Sequence, residues 1–433
     1  MVYTIIVSIV ALISMIALII IKPSIRIRCH DYDTFYLPIL FAAILLLFNP
    51  AFDKSELKNI VLSNSKLNPI KILLLFISIS FLSISLDESG FFSFIATRYI
   101  NRFKRSQYTL FFSLYLLISI LTIFTSNDIV ILTFTPFILY FSKRGNINPI
   151  PYLVMEFVAA NTYSIILPIG NPTNIYLSSI FSLDFITYVK HMLIPAFLIG
   201  LVSLSTIFIL FRKDLKKEIS VIEMEEASIK DKVGCIISLI TLISTTILLV
   251  ISNYIDIEMW IISSIAAISL LLFLIIYTII RHDRHYFINP IKRIPFSLIP
   301  FILSMFVIIL SINQFGIFNN IYNLIENVES IKLRYIIYLF SSTLSSNVVN
   351  NIPMTIAFGS ILLNGTDINY TYLSIIGSNI GAILTPLGAL AGIMWMSILK
   401  HNNIKYRFID FTKNGLIILS SILVILVIYI LIV

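Results

Sequence analysis

Charged residues are scarce in this sequence. Asp, Glu, Lys and Arg together make up 12% of the 433 residues, whereas hydrophobic residues make up 58%. Soluble domains carry about 25% charged residues, so this balance excludes a soluble protein. A helix needs about 20 apolar residues to cross a hydrocarbon core about 30 Å thick, and the chain is long enough for many such helices. We therefore predict an all-α integral membrane protein that crosses the lipid bilayer many times.

Cysteine is also rare, and several enzyme motifs are missing. Cys29 and Cys235 lie far apart and in no CxxC or Cys/His pattern, which argues against a disulfide framework or a soft-metal site. The sequence has no P-loop for ATP hydrolysis, and no HExxH or GxSxG motif lies in an apolar stretch. We predict a protein that is not an enzyme and needs no metal, cofactor or nucleic acid.

Apolar stretches of three kinds predict the membrane topology. Uninterrupted runs of near-spanning length occur at 3–21, 34–49, 69–87, 190–211, 234–252, 258–280, 296–315 and 414–433. Two further stretches, 149–174 and 372–398, contain Pro and Gly and predict broken helices. Two more, 107–142 and 333–363, are apolar on both sides of a polar cluster and predict re-entrant hairpins. The total is ten transmembrane helices, two of them broken, plus two hairpins.

The basic residues support this topology. Lys and Arg cluster at 22–28, 98–105, 143–144, 212–217, 281–293 and 400–413, and account for the net charge of +8. All six clusters fall on one side of the membrane if 107–142 and 333–363 are hairpins. Because cytoplasmic loops carry an excess of Lys and Arg, that side is the cytoplasm, and both termini are predicted to be extracytoplasmic.

The two halves of the chain resemble each other. Segment 86–92 aligns with 312–318, segment 125–127 with 345–347, and Asn161 with Asn379, each pair in the same order. Each half contains five crossing helices, an odd number, so the second half must be inverted relative to the first. The predicted units are a first repeat at 1–211, a cytoplasmic connector at 212–233 and a second repeat at 234–433.

Polar residues at the helix breaks are the candidate substrate or ion site. Irregular backbone at membrane depth is tolerated only where it lines a protein or aqueous cavity, and helix ends there can bind solutes. The candidates are Thr125, Ser126, Asn127, Asp128, Asn161, Gly170, Asn171, Thr173, Asn174, Ser346, Asn347, Asn350, Asn351, Ser378, Asn379 and Gly388. The alternative role of such Ser and Asn residues is to hold helices together by hydrogen bonds.

Carboxylates inside the apolar stretches are few, and two of them are proton-coupling candidates. Asp128 lies beside the first polar cluster, where it could bind an ion or a proton or cap a helix starting at Ile129. Glu156 lies in the first half of the broken helix 149–174. Asp87 and Glu88 close the third span, and we expect them to be solvated or to pair with Arg98.

Several of these segments together resemble a known family. Segment 86–92 (LDESGFF), Asn127-Asp128 with Thr135-Pro136, segment 345–353 (SSNVVNNIP) and segment 385–388 (TPLG) are similar to the arsenite/antimonite efflux permeases. These belong to a larger ion-transporter superfamily that includes sodium/proton antiporters and sodium-coupled carboxylate and sulfate transporters. The resemblance covers nearly the whole chain and implies elevator-type alternating access in the cell membrane.

The resemblance leads to an expected function. It implies a secondary transporter that exports arsenite or antimonite, small inorganic oxyacids, driven by protons or the membrane potential. Sodium-coupled di- or tricarboxylate or inorganic anion transport, or sodium/proton exchange, is the alternative, with Na⁺ or H⁺ as the coupling ion. A soluble ATPase partner and a homodimer are both left open.

Overall fold

The computed structural model describes residues 1–22, 24–27, 30–62, 68–103, 106–219, 228–252, 254–282 and 285–432. Cys29 and the basic residues Arg28, Lys104, Arg105 and Arg284 lie outside the described residues. Within the described part the chain is helical apart from one small hairpin, in which β1 (Ser24–Ile27) and β2 (His30–Asp33) pair antiparallel. The prediction of an all-α membrane protein is confirmed, with this hairpin as a minor exception.

Helices of the first half are α1 (Val2–Ile21), α2 (Tyr36–Leu47), α3 (Lys54–Leu62), α4 (Pro69–Glu88), α5 (Phe91–Phe103), α6 (Gln107–Phe124), α7 (Asn127–Arg144), α8 (Ile150–Tyr163), α9 (Pro172–Ile180) and α10 (Phe185–Leu215). Those of the second half are α11 (Lys232–Ile251), α12 (Met259–Arg281), α13 (His285–Arg293), α14 (Leu298–Asn313), α15 (Ile317–Glu326), α16 (Ile331–Val349), α17 (Asn351–Leu362), α18 (Ile368–Gly381), α19 (Leu390–His401) and α20 (Phe408–Ile432). A 3-10 turn separates α8 from α9 at Pro168–Gly170, and another separates α18 from α19 at Pro386–Gly388.

The order of helices repeats between the halves. In both, a long helix is followed by a short one, then by two helices separated by a brief break, a helix interrupted by a 3-10 turn, and a final long helix. This series runs from α4 to α10 and again from α14 to α20. The repeated order agrees with the sequence comparison, whereas the inversion across the membrane and the unit boundaries stay predictions.

Eight stretches of the described chain are long and apolar enough to span a membrane. They are Val2–Ile19, Pro69–Glu88, Gln107–Phe124, Phe185–Leu215, Lys232–Ile251, Met259–Arg281, His285–Asn313 and Phe408–Ile432. The predicted span 34–49 contains only the 12 residues of α2, which rise about 18 Å at 1.5 Å per residue. Conversely, α6 is long enough to cross by itself, so the hairpin topology of 107–142 stays a prediction.

Segments between the predicted spans also contain helices. Helix α3 lies within 50–68, α5 follows the third span, and α15 lies within 316–332. The broken helix predicted at 149–174 ends later, at Ile180, since its second half α9 continues past Asn174. These helices are short, and a search for spanning apolar runs does not detect them.

Two helices form the buried centre, one from each half. Every residue of α8 from Pro151 to Thr162 is buried, and so is every residue of α18 from Tyr370 to Gly381. A helix that is buried all round lies inside the bundle. Around them, helices such as α1, α11 and α12 expose large aliphatic side chains, including Ile13, Ile247 and Ile265. The peripheral helices therefore face lipid, and the polar residues of α8 and α18 lie deep within the protein.

Asp87 and Glu88, at the C-terminal end of α4, form ion pairs with a different residue from the one predicted. Arg293 of α13 donates to Asp87 Oδ2 at 2.7 Å and to Glu88 Oε1 at 2.6 Å. Thr133 of α7 donates to the same Asp87 oxygen at 3.0 Å. The expectation of pairing with Arg98 is wrong, because the fold brings Arg293 from a distant part of the sequence. Arg98 instead lies over the ring of Phe94.

This ion pair leads to a stability prediction. The Asp87 side chain is only 7% exposed, so Arg293→Ala leaves its carboxylate without its cation. Leaving a buried acceptor unpaired costs about 1 to 3 kcal/mol, and more when it is charged. We expect a lower melting temperature for Arg293→Ala in detergent and little change for the control Arg98→Ala. Equal losses in the two variants would contradict the assignment of Arg293 as the partner.

Candidate functional site

Local sequence explains the break between α8 and α9. Pro168 and Pro172 lack an N–H, so a continuous helix cannot form across them. Asn171 caps the N-terminus of α9, its Oδ1 accepting from the backbone N–H of Thr173 at 3.2 Å. At Gly170 an added Cβ would lie 2.2 Å from the carbonyl oxygen of Ser164. The chain therefore folds back on itself tightly, and only glycine fits at that position.

Asn379 of α18 is the centre of the polar contacts. Its Nδ2 donates to the carbonyl of Ile375 at 2.8 Å and to Asn174 Oδ1 at 2.7 Å. Its Oδ1 accepts from Ser164 Oγ at 3.1 Å and from Asn171 Nδ2 at 2.9 Å. The bond to the carbonyl fixes which end of the amide carries the N–H groups. Every hydrogen-bonding position of this side chain is used, and three of the partners come from the first half of the chain.

A second amide pair joins α7 to α8. Asn161 donates to the carbonyl of Phe157 at 2.9 Å, which orients its Oδ1 toward Asn127, and Asn127 Nδ2 donates to that oxygen at 3.2 Å. The Oδ1 atom of Asn127 is buried and has no hydrogen-bond partner. A buried acceptor without a partner is costly. A hydrogen-bond donor or a cation placed beside this oxygen would satisfy it without breaking an existing bond.

The hydrogen bonds connect these residues into one cluster that crosses the two halves, and we refer to it as the amide network. Ser164 Oγ also contacts the carbonyl of Asn161 at 3.2 Å, and Ser378 Oγ contacts Thr173 Oγ1 at 3.2 Å. Its members are Asn127, Asn161, Ser164, Asn171, Thr173, Asn174, Ser378 and Asn379, none more than 1% exposed. The network thus brings together Asn127 of the first polar cluster and the predicted Asn, Ser and Thr residues of both broken helices, but not Thr125, Ser126 or Asp128.

The second polar cluster mainly supports the break between α18 and α19. Asn347 Nδ2 donates to the carbonyl of Gly381 at 2.9 Å, and its Oδ1 accepts from Thr385 N at 3.1 Å and Thr385 Oγ1 at 2.8 Å. Asn350 Nδ2 donates to the carbonyl of Leu387 at 3.0 Å. At Gly388 an added Cβ would lie 3.1 Å from Asn347 Oδ1. These amides satisfy backbone groups that the helix break leaves free, as irregular backbone at membrane depth requires.

The break between α16 and α17 falls later than the sequence comparison places it. Asn350 occupies the break, with φ at +74°, in the same place in the helix order as Ser126 between α6 and α7. Ser346 and Asn347, which the sequence pairs with Ser126 and Asn127, lie in the last turns of α16. Because the residues flanking both polar clusters are apolar, the two segments can be aligned equally well with a shift of one helical turn.

The other predicted residues lie near the breaks in less central positions. Thr125 donates to the carbonyl of Leu121 at 2.7 Å, Ser346 donates to that of Ser342 at 2.8 Å, and Asn351 begins α17. The expectation that Asp128 caps a helix starting at Ile129 is wrong, because α7 begins at Asn127 and Ser126 occupies the N-cap position. Asp128 lies in the first turn of α7 and is half-buried.

Two hydroxyl residues of the site are absent from the predicted set. Ser164 bonds to Asn379, and Thr385 bonds to Asn347. Ser164 lies four residues before Pro168, and Thr385 directly precedes Pro386. Proximity to a helix-breaking proline is the signal that could have found them, because the turn before such a proline carries unpaired backbone groups.

The hydrogen-bonding groups of the amide network are all neutral. Amides and hydroxyls provide both donors and acceptors, and the N-terminus of α9 adds backbone N–H groups next to Asn171. Its eight members carry no charge. The nearby carboxylate of Asp128 and the free Oδ1 of Asn127 supply the oxygen ligands that hard cations prefer.

Known proteins are similar to this chain in sequence. The family model of the citrate transporters (CitMHS) matches residues 1–369. The arsenical pump membrane protein of Yersinia enterocolitica is 24% identical over 365 residues, which cover 79% of this chain and 81% of that protein. The arsenical pump membrane protein of Escherichia coli (strain K12) is 25% identical over 368 residues, with the same two coverages.

A solved transporter has a similar fold. The crystal structure of the YdaH transporter of Alcanivorax borkumensis, described as having an unusual topology, matches with a TM-score of 0.55 and 12% identity, covering 99% of this chain and 97% of that one. The resemblance to arsenical permeases inferred from the sequence is confirmed by the two arsenical pump relatives. This chain belongs to the citrate transporter family and is a multi-pass membrane transporter.

Proposed function

We propose that this transporter exports arsenite or antimonite across the plasma membrane, driven by protons or the membrane potential. Relatives that align with about four-fifths of the chain are named arsenical pump membrane proteins. The proposal includes elevator-type alternating access and extracytoplasmic termini. The repeated helix order and the two broken helices support it, because these are common features of transporters that expose one central site to either side.

The observation that carries the proposal is the uncharged character of the amide network. Arsenous acid is an undissociated, hydroxyl-bearing solute at neutral pH, and it both donates and accepts hydrogen bonds. Burying a charge without a partner is far more costly than burying a neutral polar group that is hydrogen-bonded. Eight buried amides and hydroxyls therefore suit a neutral oxyacid better than a multiply charged anion.

Internal hydrogen bonds suggest how the solute is released. Asn379 is fully paired with Ser164, Asn171 and Asn174 in the absence of a solute. A solute with several hydroxyls replaces these bonds by equivalent ones, so the net free energy of exchange is small, as it is for hydrogen bonds exchanged with water. Binding that is neither too weak nor too tight allows the solute to enter on one side and leave on the other.

A second candidate is sodium-coupled carboxylate or inorganic anion transport, or sodium/proton exchange. The name of the matching family model, citrate transporter, favours a carboxylate. The free Oδ1 of Asn127 together with Asp128 offers oxygen ligands for Na⁺. In this alternative the N-termini of α7 and α9 bind the anion.

Transport by purified protein in vesicles separates the two candidates. We expect arsenite uptake into everted proteoliposomes when an inside-acidic pH gradient is imposed without ATP, and no dependence on Na⁺. Empty liposomes with the same gradient are the control. Uptake of citrate that requires Na⁺, with no uptake of arsenite, would favour the second candidate and overturn the first.

A further inference from the structure

Among the described Asp and Glu residues, Glu156 is the least exposed to solvent. Glu156 lies in the middle of α8 and is 0% exposed. Its two carboxyl oxygens are each 3.1 Å from the Oγ1 atom of Thr135 on α7. From the second half of the chain, the indole of Trp395 on α19 lies against the carboxyl group and packs on the ring of the adjacent Phe157 at 5.4 Å.

The surroundings of Glu156 disfavour its charged form. Among the described residues, Thr135 is the side chain that hydrogen-bonds to it, Trp395 lies beside it with its indole N–H unpaired, and no charged side chain acts on it. A single hydroxyl can donate only one hydrogen bond, whereas an ionised carboxylate has about four acceptor positions to satisfy. An uncompensated charge at membrane depth is expensive. This enclosure therefore favours a protonated carboxyl group, to which the hydroxyl of Thr135 donates a hydrogen bond.

Asp128 belongs to the same helix pair but is more exposed than Glu156. It is half-buried and lies in the first turn of α7. There the helix dipole and the free backbone N–H groups stabilise a negative charge. Of the two carboxyl groups, only that of Glu156 is fully enclosed, and it lies in the middle of its helix rather than at a helix end.

The proton site and the amide network share the same two helices. Helices α7 and α8 are joined by Asn127 and Asn161 at one level and by Thr135 and Glu156 at the other. If Glu156 loses its proton, its carboxylate needs additional donors, and Thr135 must reorient or α7 must move. Such a movement changes the contact between Asn127 and Asn161. For water to reach the carboxyl group, Trp395 must first move away from α8.

We infer that Glu156 is the proton-binding group of this transporter, with Thr135 as its hydrogen-bond partner and Trp395 as the cover that is displaced when the proton exchanges with water. The inference rests on the proposed function, in which protons drive export. It assigns solute binding and proton binding to two separate clusters on α7 and α8. Protonation and solute occupancy are then coupled through the relative position of these two helices.

Infrared difference spectroscopy on the full-length protein in proteoliposomes, without arsenite, tests the proton site directly. A protonated carboxyl group gives a C=O stretching band that is lost as the pH rises through its titration. We expect this band to be lost in Glu156→Gln and retained in Asp128→Asn and in the exposed control Glu329→Gln. We also expect Thr135→Val to shift the pH midpoint of the band and Thr135→Ser to shift it less. Retention of the full band in Glu156→Gln would overturn the inference, as would its loss in Asp128→Asn alone.

Vesicle transport then tests coupling. We expect Glu156→Gln to lose accumulation of arsenite driven by a pH gradient while still allowing labelled arsenite to exchange at equal pH. Accumulation at the wild-type level in Glu156→Gln would contradict the coupling role. If the wild-type protein transports no arsenite but the band is still lost in Glu156→Gln, the proposed substrate fails and the proton site stands.

Discussion

Asn379→Ala is expected to abolish transport. The side chain of Asn379 pairs with Ser164, Asn171 and Asn174, so its removal leaves several buried polar atoms without partners. Each such atom costs about 1 to 3 kcal/mol. Because the network joins the two halves of the chain, we expect both loss of arsenite uptake in proteoliposomes and a melting temperature well below that of the wild type.

A matched control separates the network from a general effect of removing an amide. Asn402 is an exposed residue at the end of α19 whose side chain donates to the carbonyl of Ile398. Asn402→Ala should therefore transport normally. To separate folding from binding, Ser378→Ala removes a hydroxyl that contacts Thr173 but leaves Asn379 in place. We expect it to fold and to transport with weaker apparent affinity. Normal transport by Asn379→Ala would exclude the amide network as the solute site.

Gly170→Ala is expected to prevent folding of the first helix break. The added Cβ would lie 2.2 Å from the backbone carbonyl oxygen of Ser164, and backbone atoms cannot move aside without displacing Asn174, which donates to that carbonyl at 2.8 Å. The expected decrease in the free energy of unfolding is several times that of a Gly to Ala change in open space, where only φ is unfavourable and the cost is about 1 kcal/mol. The yield of monodisperse protein in size-exclusion chromatography shows whether the variant folds.

Gly316→Ala is the comparison for this effect. Gly316 has φ at +68° and nothing within 4 Å of an added Cβ, so alanine there adds backbone strain alone. We expect Gly316→Ala to be purified with a small decrease in melting temperature, and Gly170→Ala to be recovered poorly. Similar yields of the two variants would indicate that the break at Gly170 opens readily, contrary to the close packing described above.

The positions of the helix breaks could be predicted because the cause is local. Pro168, Pro172 and Pro386 cannot donate a backbone hydrogen bond, so a break near them follows from the residue type. The break at Asn350 was shifted by one turn in the sequence comparison, because Ser and Asn occur at several consecutive turns of α16 and none is a proline. The repeated order of elements was detectable for the same reason, since it is marked by Pro, Gly and Asn.

Side-chain partners could not be predicted, because they depend on the packing of distant helices. Arg98 is near Asp87 in the sequence, but α13 brings Arg293 to it instead. Ser164 and Thr385 lie just before helix-breaking prolines, but their partners Asn379 and Asn347 are on other helices and are identified only by the packing. The same holds for Trp395, an apolar residue by sequence that covers Glu156 from the other half of the chain.

Composition alone determined that this chain lies in a membrane, because 12% charged residues cannot cover the surface of a soluble protein of this size. The sequence also determined where the helices break and which polar residues lie at the breaks. Only the tertiary structure decided that Asn379 pairs with residues of the first half, that Asn347 and Asn350 are engaged with backbone groups, and that the carboxyl group of Glu156 is enclosed. Hydrogen bonds between helices depend on distances in space, and these arise only when the two halves pack against each other.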